Sequence, residues 1–157
     1  MNTLVPILIL SLLFAHLTEK TTNGIYGEEK RQTKQNKLFF AALVCTMALP
    51  VGLRRIYNDT GAYIDNFNKS MTLLELFASG KLHLLANPAF HIYESLIHDL
   101  TDNYHIFFLI HAFFVQYSFI HTIRRYADSF TLSIGLYICI GTYVISMAAM
   151  KQTIAMA

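Results

Sequence analysis

Two arginines, Arg54 and Arg55, close an apolar run and are followed by Asn58-Asp59-Thr60-Gly61-Ala62-Tyr63. Arginine suits phosphate because its planar fork stays charged and donates two parallel hydrogen bonds. Asp59 stands near enough along the chain to be held by an arginine or to act as a base. A headgroup-anchoring arginine pair followed by an Asn-Asp-Thr-Gly turn accounts for the same residues, and on composition alone it is the simpler reading. A third cation, Lys151, followed by Gln152, ends the last long apolar run. By itself it reads as an interfacial lysine.

Histidine offers a second set. His91, Glu94 and His98 have the spacing of ligands on one helix face. Their order matches no zinc signature, and a wet polar face explains them as well, so no metal is expected. His111, Ser118 and Thr122 form a polar stripe in an apolar run, where such groups should turn towards neighbouring helices. The chain carries no Ser-His-Asp order, phosphate-cradling glycine loop or CxxC pair, and no cofactor is expected.

The elements that must position these residues are membrane spans. Of the 157 residues 54% are hydrophobic and 14% charged, against about 25% charged in soluble domains. A net charge of +2 without a basic stripe argues against nucleic acid as a partner. Four apolar runs stand out: 4–17, 38–53, 106–123 and 130–150. A span needs roughly 17–25 residues, so the first two are short and the last is long enough. The first run lacks the basic leader of a secretory signal, since residues 1–3 contain no Lys or Arg. Cys45 and Cys139 lie inside apolar runs and read as buried, unpaired packing residues. Without Trp, the interfacial belt falls to Tyr57, Tyr63, Tyr104 and Tyr126.

Loop charge sets the orientation. Lys20, Lys30, Arg31, Lys34 and Lys37 surround the first link, and Arg124 and Arg125 lie in the third. Positive loops stay in the cytoplasm, which places the N-terminus, residues 54–103 and Lys151 on the outer side. Arg54, Arg55 and Lys151 then share one face. The outer segment has helix signals of its own. Thr72 and Glu75 have capping-box spacing, Gly80 can end that helix, and Asn87-Pro88 reads as an N-cap with proline at the first position. The following helix, 88–100, places Ala89, Phe90, Tyr93, Leu96, Ile97 and Leu100 towards the bilayer and His91, Glu94, Ser95, His98 and Asp99 towards water. The expectation is an all-α membrane protein with about four spans and outward-facing interfacial helices, in one membrane domain over 1–157.

The residues also resemble a known family. Arg54…Asn58-Asp59-Thr60…Tyr63 is similar to the Arg…Gly-Thr-Asp-Thr…Tyr stretch of the EpsG family of bacterial exopolysaccharide membrane proteins. Asn87-Pro88-Ala89-Phe90 resembles that family's Glu-Pro-Gly-Phe segment, and Lys151-Gln152-Thr153-Ile154-Ala155 its Arg-Gln-x-Ile-Ala motif. Three substitutions depart from the pattern: Tyr57 for Gly, Asn87 for Glu and Lys151 for Arg. Lysine keeps the charge without the bidentate fork.

The resemblance implies a polysaccharide polymerase of the large membrane glycosyltransferase class, acting on polyprenyl-diphosphate-linked sugars at the outer face of the bacterial cytoplasmic membrane. It implies a catalytic Asp59, a diphosphate held by Arg54, Arg55, Lys151 and Gln152, and support from Tyr63 and Asn87. Membrane lipids and other polysaccharide export proteins are the expected partners. It further implies an N-terminal portion of a longer protein, with another span starting at 152–157. A lipid-linked oligosaccharide transporter and a non-catalytic scaffold of an export complex stay open beside it.

Overall fold

A computed structural model describes residues 4–22, 34–54, 59–80 and 87–156. The described residues form helices α1 (Leu4–Thr22), α2 (Lys34–Gly52), α3 (Thr60–Asn68), α4 (Leu73–Ala78), α5 (Pro88–His98), α6 (Tyr104–Tyr126), α7 (Phe130–Cys139), α8 (Thr142–Ala148) and α9 (Met150–Met156). The chain is an all-α membrane protein. Helices α1, α2 and α6 are each long and apolar enough to cross a bilayer, and α7 with α8 makes a bent fourth candidate. Helix suits lipid because every backbone N–H and C=O inside it is satisfied within the segment.

The first two spans are longer than their apolar runs. Both α1 and α2 have 19 residues, or about 28 Å at ~1.5 Å per residue, which matches a hydrocarbon core of ~30 Å. Helix α2 starts at Lys34, four residues ahead of the apolar run, because polar residues continue a helix into the headgroups. The fourth run is not one straight helix. It breaks at Gly141, whose φ of 93° lies in the left-handed region that favours glycine. Helices α7 and α8 meet there at a 52° bend.

Polar side chains clasp one end of the bundle. Asn36 Nδ2 donates to the Thr18 carbonyl at 2.8 Å and to Thr21 Oγ1 at 3.0 Å, while its Oδ1 accepts from Arg124. The Arg124 guanidinium lies 4.9 Å from the centre of the Phe40 ring. The Glu19 carboxylate accepts from the backbone N–H groups of Phe130 at 3.3 Å and Thr131 at 3.2 Å, and from the Thr131 hydroxyl. A carboxylate at the start of α7 satisfies N–H groups that no helical carbonyl can reach. These bonds fasten α1, α2, α6 and α7 to one another.

In mid-span the packing is close and partly polar. Ala15, Ala48 and Ala112 are fully buried, letting backbones approach. Gln116 Nε2 donates to Ser146 Oγ at 2.9 Å, Tyr137 OH donates to Gln116 Oε1 at 3.2 Å, and Tyr143 OH donates to the Met47 carbonyl at 3.0 Å. The polar stripe expected on α6 is only partly inward: His111 is buried, Ser118 half-buried and Thr122 exposed. Cys45 and Cys139 are free, as expected, but both face outward rather than into the packing.

The opposite end carries a second core. Tyr63, Phe67, Phe90, Ile97, Phe107, Phe108 and Met150 pack together, joining α3, α5, α6 and α9. The phenyl rings of Phe67 and Phe107 stack with centres 4.6 Å apart. Of the turn read at 58–61, Asn58 lies outside the described residues, while Thr60 and Gly61 are the first residues of α3, with Asp59 at the N-cap position. Tyr63 is thereby buried in this core instead of standing in a headgroup belt. The capping box at α4 is present, with Glu75 N donating to Thr72 Oγ1 at 3.3 Å and Thr72 N to Glu75 Oε2 at 3.1 Å. Gly80 follows at φ 61°.

Candidate functional site

Helix α2 ends at Gly52, where it lies so close to α6 that an added Cβ would sit 2.9 Å from the Leu109 Cα. That approach delivers Arg54, two residues on, to the second core. Arg54 is buried, and its guanidinium lies 5.0 Å from the centre of the Phe108 ring. Arg55 lies outside the described residues. Asp59 is exposed, and its carbonyl accepts from Tyr63 N at 3.1 Å as α3 begins.

Helix α9 returns from the bent fourth span to the same place. Lys151 Nζ lies 5.3 Å from the centre of the Phe90 ring. A cation over an aromatic face is attracted by the ring quadrupole while its charged head stays available to a ligand. Tyr63 connects the two chain segments. Burial pushes its phenol above the usual tyrosine range; the Lys151 and Met150 N–H groups and Arg54 act the other way, and Asp59 adds to the rise. Of the residues read from sequence, Arg54, Asp59, Tyr63 and Lys151 therefore come together. Gln152 and Asn87 are exposed, and Asn87 starts α5 without a side-chain cap.

The structure adds residues that the amphipathic reading of α5 sent to water. Glu94 and Ser95 are 1% and 2% exposed, whereas Leu96 and Leu100 stand at the surface. Glu94 follows Phe90 by four residues and precedes Ile97 by three, so it shares their inward stripe. The apolar spacing around Glu94 was the signal, and α5 packs against α3, α4 and α6. His91 Nδ1 lies 3.1 Å from Glu94 Oε2, a close approach that is not a hydrogen bond. Burial pushes the Glu94 carboxyl up to about 7, with Lys151 opposing the rise. Burial, reinforced by Lys151, holds His91 below the usual histidine range. His98 does not join them: its ring packs 5.4 Å from that of Phe67, and its Nε2 is 3.8 Å from Asp102. Deeper in, buried His111 faces the Tyr93 ring at 6.1 Å.

Chemically, the cluster offers two cations held on aromatic rings, an exposed carboxylate, and a buried carboxyl beside a half-exposed imidazole. Such a set can bind an anion and move a proton beside it. No curated protein and no solved structure matches the chain. The profile of the EpsG family matches residues 37–157. That span runs without interruption from α2 through Arg54, Asp59, Tyr63 and α5 to Lys151, and with it the chain belongs to the EpsG family.

Proposed function

We propose that this protein acts as a polysaccharide polymerase, a membrane glycosyltransferase that lengthens exopolysaccharide or O-antigen from polyprenyl-diphosphate-linked sugars. The work takes place at the outer face of the bacterial cytoplasmic membrane, with the N-terminus on that side. The observation that carries the reading is the convergence of Arg54 and Lys151, from chain segments far apart in sequence, on one aromatic core at one end of the spans. Two arginines at an outer helix end run against the charge bias of membrane loops, and an anionic ligand is a physical reason to keep them.

In this reading Arg54, Arg55 and Lys151 neutralise the charge that develops on the diphosphate as the glycosidic bond to it breaks. Gln152 adds a hydrogen bond at the rim, and Tyr63 supports the site from the core beneath it. Asp59, exposed at the mouth, orients the acceptor sugar hydroxyl or takes its proton. The polyprenyl chain lies in lipid beside the exposed apolar faces. A polymer-length assay on a gel tests the reading in the full-length protein. Loss of long polymer in Arg54→Ala and Asp59→Asn supports it; normal length in both rejects it. A transporter would move substrate without lengthening it, and a scaffold would tolerate both substitutions.

A further inference from the structure

We infer that His91 and Glu94 form a carboxylate–imidazole dyad that accepts the proton of the attacking sugar hydroxyl. The inference rests on the polymerase reading and assigns the proton transfer within the same site. Its basis is geometric. The carboxylate of Glu94 is buried, has no hydrogen bond among the described residues, and lies against Nδ1 of His91. That contact leaves Nε2 as the nitrogen for a substrate, and the His91 side chain is 31% exposed. A buried carboxylate behind a half-exposed imidazole fixes the tautomer and stabilises the imidazolium that forms.

The dyad also stands at the right place. His91 is the neighbour of Phe90, over whose ring Lys151 lies. A diphosphate held by Lys151 therefore brings its linked sugar to the imidazole. In the transfer, the acceptor oxygen forms a bond to the anomeric carbon as that carbon's bond to the diphosphate oxygen breaks. The bonding pair leaves with the polyprenyl diphosphate. The acceptor proton passes to His91 Nε2 and from there to water. Catalytic contacts of this kind tighten when substrate binds, consistent with a 3.1 Å approach that is not yet a hydrogen bond.

Among the described residues, His98 shares α5 and Asp99 caps it, its carboxylate accepting from Leu73 N of α4. Lys151 of α9 acts on both members of the dyad. Tyr63 of α3 faces Phe90, and His111 of α6 faces Tyr93. Arg54 lies within electrostatic range of Tyr63 and His111. Lys151 favours the unprotonated form of both members, while burial opposes the charge of each, raising the Glu94 carboxyl and lowering the His91 imidazole.

The test uses cells making the full-length protein as wild type, His91→Gln, Glu94→Gln or Arg54→Ala. Polymer output is followed as the medium is varied between about pH 5 and 8, and binding of inorganic pyrophosphate is measured on the purified proteins. The dyad predicts wild-type output that rises with pH. It predicts His91→Gln output reduced about 100-fold or more with pyrophosphate binding intact. Glu94→Gln should move the midpoint of the pH profile, a change that a packing role would not produce. Should Glu94→Gln not fold, the half-exposed His91→Gln decides alone. Output and pH profile like wild type in the dyad variants, with Arg54→Ala inactive, overturn the dyad and spare the polymerase reading. Lost pyrophosphate binding in His91→Gln also overturns it. Normal polymer from Arg54→Ala rejects the polymerase reading and the dyad with it.

Discussion

Lys151 on α9 holds its ammonium 5.3 Å from the centre of the Phe90 ring on α5. The contact closes the bundle, because it brings the far end of the bent fourth span back to the helices that follow Arg54. Two cations thus share one aromatic cluster although neither lies near the other in sequence. Aromatic faces attract both cations through the ring quadrupole.

The close passage of α2 over α6 gives a direct test of how Arg54 is placed. A methyl group at position 52 would meet Leu109 Cδ2 at 2.7 Å and its Cα at 2.9 Å. Gly52→Ala should therefore push the helices apart and cost about 1–3 kcal/mol, read as a lower unfolding temperature in detergent. Gly61→Ala, where nothing lies within 4 Å, should be neutral or slightly stabilising by comparison.

The clasp at the other end of the bundle should govern stability and leave the site chemistry alone. Asn36→Ala removes a side chain that joins α1, α2 and α6. Glu19→Ala exposes the first N–H groups of α7. Each should cost about 1–3 kcal/mol by leaving buried partners unsatisfied. Unfolding temperature should fall in both, with pyrophosphate binding at the opposite end preserved in the remaining folded protein.

Burial of Glu94 ties stability to pH with a definite sign. Its carboxyl is raised from 4.5 to about 7 in the fold. Between those values the folded chain holds a proton that the unfolded chain releases. This contribution is complete below pH 4.5 and is lost as pH rises through about 7. His91, held below its usual range, acts with the opposite sign, so the informative quantity is a difference between variants. Raising the pH through this window should lower the unfolding temperature of wild type relative to Glu94→Gln by roughly a few degrees. A constant difference across the window would contradict the burial of Glu94.

Much of the architecture was legible because lipid imposes simple rules on sequence. The four apolar runs and the capping box at Thr72 and Glu75 each rest on local chemistry, and the helices they specify are present. Placing Arg54 and Lys151 at one end needed only the parity of the crossings. What escaped was set by contacts between distant segments. Asp59 and Gly61 carry turn chemistry, yet Tyr63 and Phe67 pull the stretch into α3 by entering the core. Gly141 sits in an apolar run that also carries Gly135 inside α7, so a glycine by itself did not mark the bend. Glu94 looked wet because its helix neighbours His91 and His98 are polar, whereas it shares the inward Phe90–Ile97 stripe of a helix packed against α3, α4 and α6.

The central claim is that Arg54 and Lys151 hold a lipid-linked diphosphate while the sugar is transferred. The most direct measurement is the length distribution of surface polysaccharide from cells whose full-length protein carries Arg54→Ala, Lys151→Ala or Asp59→Asn, with protein levels matched. The account predicts loss of long polymer in all three, by about 100-fold or more for the arginine, with short lipid-linked units accumulating. Polymer of wild-type length from both cation variants would contradict it.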